Sequence, residues 1–268
     1  MIMNKYWIGF SLILTLFSCK KSDDSSLNSE NPFEFRKVEH FPEPHYNINE
    51  NKPNEAGFLL GKKLFNDPLL SSDSTVSCET CHHQFGAFAD PFHDVSHGVK
   101  SRLGVRNTPA LQNLAWQTHF LWDGGVNHLD VFPLAPITNP LEMDEDLNNV
   151  IAKLNRSPEY KAMFKAAYGD DSIYTQRVFR ALSQFMLLMI SDKTPYDDYI
   201  KGNSNALSQE QKDGLLILEK KAAIAVIKSP YLPIMALKIQ DYLIKPMILA
   251  YFMLAKFLLI VVNLKFLL

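Results

Sequence analysis

Cysteine is scarce in this chain of 268 residues, which carries three, at Cys19, Cys78 and Cys81. A small, odd set does not make a disulfide framework, so each thiol needs its own explanation. An excess of charge of either sign is also missing. Lys and Arg number 27 against 29 Asp and Glu, a net charge of −2, and no basic run stands out. That balance gives no reason to expect nucleic acid as a partner. Runs that alternate apolar with polar residues are lacking, which argues against strands, and no internal repeat is visible. What remains is an ordinary globular composition, 47% hydrophobic and 21% charged, in a length that allows one large domain or two small ones.

Cys19 belongs to the leader. Lys5 precedes an apolar run over residues 6–17, then Ser18 and Cys19. A short positive region followed by such a run is an export signal, too short for a comfortable membrane span. Leu16-Phe17-Ser18-Cys19 resembles a bacterial lipoprotein box, in which Cys19 would be lipidated and become the first mature residue. The alternative is a plain signal peptide with an incidental cysteine. Residues 20–53 open on Lys20-Lys21-Ser22-Asp23-Asp24, too poor in apolar side chains to bury a core, and are expected to form a flexible tether. The expected location is periplasmic, with a lipid anchor to the bacterial membrane through Cys19.

Helical spacing starts after this tether. Residues 55–65 form one expected helix, stopped by Asn66-Asp67-Pro68. Residues 147–164 carry Leu147, Val150, Ile151 and Leu154, with a break and fresh start at Ser157-Pro158. Residues 174–190 place Val178, Leu182, Phe185, Met186 and Met189 on one face. Ser208 and Gln211 make a capping box for a further helix. Between Ser71 and Pro140 the chain is rich in Gly, Pro, His and aromatics with little periodicity, a pattern expected of loops that wrap something functional.

Cys78-Glu79-Thr80-Cys81-His82 lies at the head of that stretch. Two thiols at Cys-x-x-Cys spacing can form thioethers to the two vinyl groups of one haem, and the next histidine can coordinate its iron. A zinc half-site and a redox dithiol are the alternatives. Zinc would need further Cys or His ligands at matching spacing, and no second cysteine pair exists. A thioredoxin-like motif would sit in a βαβ context, which is absent.

The residues around this motif resemble the N-terminal domain of the di-haem cytochrome c peroxidases and their MauG relatives. The likeness runs through Leu60-Gly61-Lys62-Lys63-Leu64-Phe65, Ser96-His97-Gly98, Arg106-Asn107-Thr108-Pro109, Phe120-Leu121-Trp122-Asp123-Gly124, Asn139-Pro140-Leu141-Glu142-Met143 and Thr194-Pro195-Tyr196-Asp197, in order over about 54–221. It implies an all-α, c-type cytochrome-like haem domain with long haem-wrapping loops. His82 would be the proximal ligand of the peroxidatic haem, and His97 the displaceable distal one. Glu142 would be the distal acid/base, and Trp122 the tryptophan between two haems. Asn107 would be a ligand of a calcium ion. Gly125 stands where an arginine often follows Asp-Gly. His83, His93, His119 and His128 carry no role in this pattern. The activity implied is reduction of hydrogen peroxide to water, with electrons from a small cytochrome c or copper protein, in a chain that could form a homodimer.

The pattern breaks after Lys221. Residues 222–268 contain no Cys, His, Gly or Glu and only Asp241, so a second Cys-x-x-Cys-His is missing. Residues 247–268 are mostly apolar, and a membrane anchor is the direct reading, against which Lys256 and Lys265 count. This supports an alternative function, a membrane-tethered mono-haem electron carrier. Back-translation with a one-base shift permits Cys-Asn-Ser-Cys-His over residues 222–227. It also permits Pro-Leu-Phe-Thr-Asp-Tyr-Gly-Phe-Lys-Asn-Thr-Gly-Leu over 229–242. The tail is therefore expected to be out of frame. A family-like motif in the DNA would support this, and stop codons in that frame would end it.

Overall fold

A computed structural model describes residues 31–220. Its first long helix, α1 (Glu55–Asn66), begins where the Asn54 side chain accepts the Gly57 amide and ends where Asp67 and Pro68 turn the chain. Asn is a strong N-cap, because its oxygen satisfies an amide that the first turn leaves unpaired. Leu60, Leu64 and Phe65 are buried along α1. Gly57 and Gly61 recur on its other inward face, one turn apart. A Cβ on Gly61 would lie 1.9 Å from the Ala181 carbonyl oxygen, and one on Gly57 1.9 Å from Gln184 Oε1.

Those two glycines let the central helix come close. After α2 (Cys78–Cys81) and α3 (Leu134–Thr138) come α4 (Leu147–Asn155), α5 (Pro158–Tyr168) and α6 (Thr175–Leu187), followed by α7 (Pro195–Ile200) and α8 (Gln209–Lys220). Helix α6 is buried almost all round, from Val178 to Leu187, as expected of a helix at the middle of a core. Helix α1 packs along it and also meets α5. The Tyr160 hydroxyl donates to Asp67 Oδ2 at 2.6 Å, fixing α5 to the end of α1. Lys153 on α4 donates to the Ser71 carbonyl at 2.6 Å and pairs with Glu145. The break expected at Ser157-Pro158 divides α4 from α5: Ser157 caps α5 and Pro158 occupies its first turn, where no amide donor is needed. The Ser208–Gln211 capping box is formed, with both amides satisfied by the opposite side chain.

No strand occurs among the described residues, only isolated bridges at His83–Ala89, His97–Leu103 and Phe120–Val126. The all-α expectation holds. The stretch after Ser71 contains little but α2 and single 3-10 turns until α3.

The tether expected over 20–53 differs from the structure in its second half. Val38, Tyr46 and Asn51 are buried. Trp116 Nε1 donates to the Pro42 carbonyl at 2.8 Å while Phe35 and Phe41 pack on the indole. Arg36 and His40 reach Asp192 and Asp197 at 2.7 and 2.8 Å. Single apolar residues spread along a polar segment are enough to anchor it when each finds its own partner. The expected signal peptide and the tail over 222–268 lie outside the described residues. No described helix is long and apolar enough to cross a membrane.

Candidate functional site

Helix α2 carries the two thiols. It is one turn long and is held by a reciprocal cap, in which Ser77 Oγ accepts the Thr80 amide and Thr80 Oγ1 accepts the Ser77 amide. Cysteines three apart on such a turn share a face. Cys78, Cys81 and His82 all open on one cavity of about 320 Å³, whose wall also includes His97, Trp122 and Glu142. The structure thus brings together the residues that the sequence scattered over 65 positions, from Cys78 to Glu142.

The imidazole of His82 is oriented by its own loop. Ala87 and Phe88 are both left-handed, at φ 60° and 58°, a conformation that costs a non-glycine residue about 1–2 kcal/mol. This turn returns the Phe88 carbonyl to His82 Nδ1 at 2.8 Å. With Nδ1 as the donor, Nε2 is left as a neutral lone-pair nitrogen, the form that binds a metal. Burial pulls the His82 pKa down to about 4, against the opposing pull of the Phe88 and Pro109 carbonyls. Burial likewise pushes the Cys78 thiol up to about 12 and raises Cys81, with the Glu142 charge adding to both. Both sulfurs are therefore uncharged thiols at neutral pH.

Glu142 stands on the loop 139–144. Asn139 Nδ2 donates to its Oε1 at 3.0 Å. Burial holds the Glu142 carboxyl above the usual carboxylate range, with the Asn139 bond pulling the other way. The loop is clamped to the turn that carries His97. The Val99 amide donates to the Glu142 carbonyl at 2.8 Å. Arg102 reaches the Pro140 carbonyl at 2.6 Å and Asp144 at 2.7 Å. Gly98 packs directly on the Leu141–Glu142 backbone. His97 and Glu142 therefore sit on one connected body.

Trp122 lies on the Phe120–Val126 hairpin, where Leu121 and Gly124 take positive φ. Its Nε1 donates to the Asn107 carbonyl at 2.6 Å, and the Asn107 amide nitrogen donates to the His93 carbonyl at 3.1 Å. His93 carries no role in the sequence pattern. In the structure its ring lies 4.1 Å from that of His97, with Asp90 Oδ2 2.8 Å from its Nδ1. The Asp-x-x-His spacing was the signal available for that pair. Gly98 and Thr108 fall within the motifs of the resemblance, but their packing and burial appear only in the structure.

The donor set fits a covalently held haem. Two neutral thiols on one face and a neutral imidazole oriented through Nδ1 surround a single cavity. In its wall the buried Thr108 Oγ1 has no hydrogen-bond partner among the described residues, a group that a bound polar substituent would satisfy. Among the described residues no three His, Cys, Asp or Glu gather as a protein-only metal cage.

Fold and cavity define an all-α, c-type cytochrome-like domain. The chain belongs to the di-haem cytochrome c peroxidase family, whose model matches residues 55–205, more than half of its length. It is 34% identical over 162 residues to methylamine utilization protein MauG of Methylophilus methylotrophus, covering 60% of this chain and 48% of that protein. It is 33% identical over 178 residues to cytochrome c peroxidase Ccp of Escherichia coli (strain K12), covering 66% and 38%. The crystal structure of a MauG-like protein associated with microbial copper homeostasis matches with a TM-score of 0.62 at 26% identity, over 69% of this chain and 54% of that one. The chain spans about half the length of the curated relatives it matches.

Proposed function

We propose that this chain is the peroxidatic half of a di-haem cytochrome c peroxidase, reducing hydrogen peroxide to water. The observation that carries the reading is the placement of Glu142. A desolvated carboxyl group with a raised pKa shares one cavity with the thiol pair and His82. Cys78 and Cys81 would each add S–H across a haem vinyl group, and His82 would hold the iron through Nε2. When bound, the haem supplies the redox centre that takes electrons from a donor and passes them to peroxide. Glu142 as carboxylate would accept a proton from the near peroxide oxygen and return it to the departing one, and a raised pKa suits both roles. Asn139 keeps the carboxyl oriented between them.

His97 would be the displaceable distal group. Trp122 would carry electrons from the second haem of the family to the peroxidatic one, and Asn107 would offer its amide oxygen to calcium at the junction of the two halves. A small cytochrome c or copper protein would be the donor, in the periplasm, with Cys19 lipidated. Residues 222–268 would replace, out of frame, the start of the second haem domain. A mono-haem carrier would have no use for an enclosed, protonatable Glu142.

The test compares wild type with Glu142→Gln by covalent haem content and by peroxide-dependent oxidation of a reduced dye. Haem content should match while turnover falls by about 10²–10⁴. Equal turnover would remove Glu142 from the chemistry and bring the carrier reading forward.

A further inference from the structure

Among the described residues no hydrogen bond holds the His97 imidazole. Its ring contact is with His93, at 4.1 Å between centroids and 42° between planes. His93 is itself anchored at both ends. Asp90 Oδ2 sits 2.8 Å from His93 Nδ1, and Asp90 Oδ1 accepts the Phe92 and His93 amides at 2.9 and 3.3 Å. The His93 carbonyl accepts from Asn107, whose own carbonyl accepts from Trp122. Asp90 is 5% exposed, although the His93 side chain is 43% exposed. A solvent-facing ring of this kind would ordinarily sample several rotamers, and here a buried carboxylate fixes one.

We propose that His93, held by Asp90, is a positioning residue: it closes one face of His97 and sets how readily that imidazole leaves the distal side of the haem pocket. Through Asn107 it also joins the His97 turn to Trp122, so the two sides of the cavity share one connected set of contacts. Removing the His93 ring frees His97 to rotate away. This rests on the proposed role of His97 as the distal ligand.

The experiment uses the full chain with haem attached and reads the ratio of low-spin to high-spin ferric haem by optical and EPR spectra. Wild type is compared with His97→Ala, His93→Ala and His93→Phe. His97→Ala should abolish the low-spin form. His93→Ala should lower the low-spin to high-spin ratio by roughly two- to tenfold, the size of one aromatic pair contact. His93→Phe should restore it only in part, since it keeps the ring but loses the bond by which Asp90 fixes its rotamer. A His93→Ala spectrum like wild type, beside an altered His97→Ala spectrum, overturns this inference alone. An unaltered His97→Ala spectrum overturns the distal-ligand role and the inference with it.

Discussion

Gly98→Ala is the smallest change that should uncouple His97 from Glu142. Gly98 has φ −100° and ψ −169°, extended backbone that any residue adopts, so the substitution introduces no dihedral strain. The obstacle is space. The new Cβ would lie 2.2 Å from the Leu141 carbonyl oxygen, 2.4 Å from that of Glu142 and 2.6 Å from Glu142 Cα. All three are backbone atoms, so no side chain can swing aside. The His97 turn must retreat by about 1 Å to reach ordinary contact, which stretches the 2.8 Å bond from the Val99 amide to the Glu142 carbonyl. Overpacking of this kind costs about 1–3 kcal/mol, or roughly 2–12 °C in Tm for a domain of this size. Covalent haem attachment should persist, because Cys78, Cys81 and His82 lie on other segments and Cys81 meets the His97 turn only through a long 3.6 Å contact from Sγ to the His97 carbonyl. Peroxide turnover should fall by about 10- to 100-fold, since a displacement near 1 Å at a proton-transferring group is costly. Thermal unfolding followed by circular dichroism, together with turnover per haem, measures both. A Gly98→Ala protein with wild-type Tm and turnover would refute the argument that this contact positions Glu142.

Glu142→Gln should also change stability in a pH-dependent way. The folded state raises the Glu142 pKa by burial, so it favours the neutral acid. Below the unfolded value, about 4.3, both states are protonated and the variant should match wild type. As pH rises through the folded value the buried charge becomes a growing penalty in wild type only, and the variant should melt at higher temperature at pH 7–8. Equal Tm at both pH values would mean that the carboxyl is solvated. Deleting residues 33–53 while keeping the leader should lower Tm by several degrees, because Val38 and Tyr46 each bury a side chain worth about 1.5–3 kcal/mol. A flexible tether would leave Tm unchanged.

Much of this protein is legible along the chain, wherever a local pattern carries the signal. The α1 helix follows from apolar spacing between Asn54 and Pro68, and α5 starts where Ser157-Pro158 say it should. Cys78, Cys81 and His82 declare their chemistry by adjacency, since thioether spacing and iron ligation are both set within one helical turn. Glu142, His97 and Trp122 were legible through their resemblance to a family, because none is adjacent to the haem motif and each alone is an ordinary residue type.

Tertiary structure decided what depends on distant partners. Residues 20–53 look like a linker by composition, yet Pro42 and Trp116 find each other only after the chain has folded. His93 gains its place from a ring brought alongside by a turn and from a carboxylate three residues away. Gly98 gains its importance from the loop that packs on it. Burial set the protonation of the site, holding His82 neutral, Cys78 and Cys81 as thiols and Glu142 poised to take up a proton. Sequence fixes which groups are present. Desolvation, which raises or lowers their pKa values, exists only once the surrounding chain has excluded water.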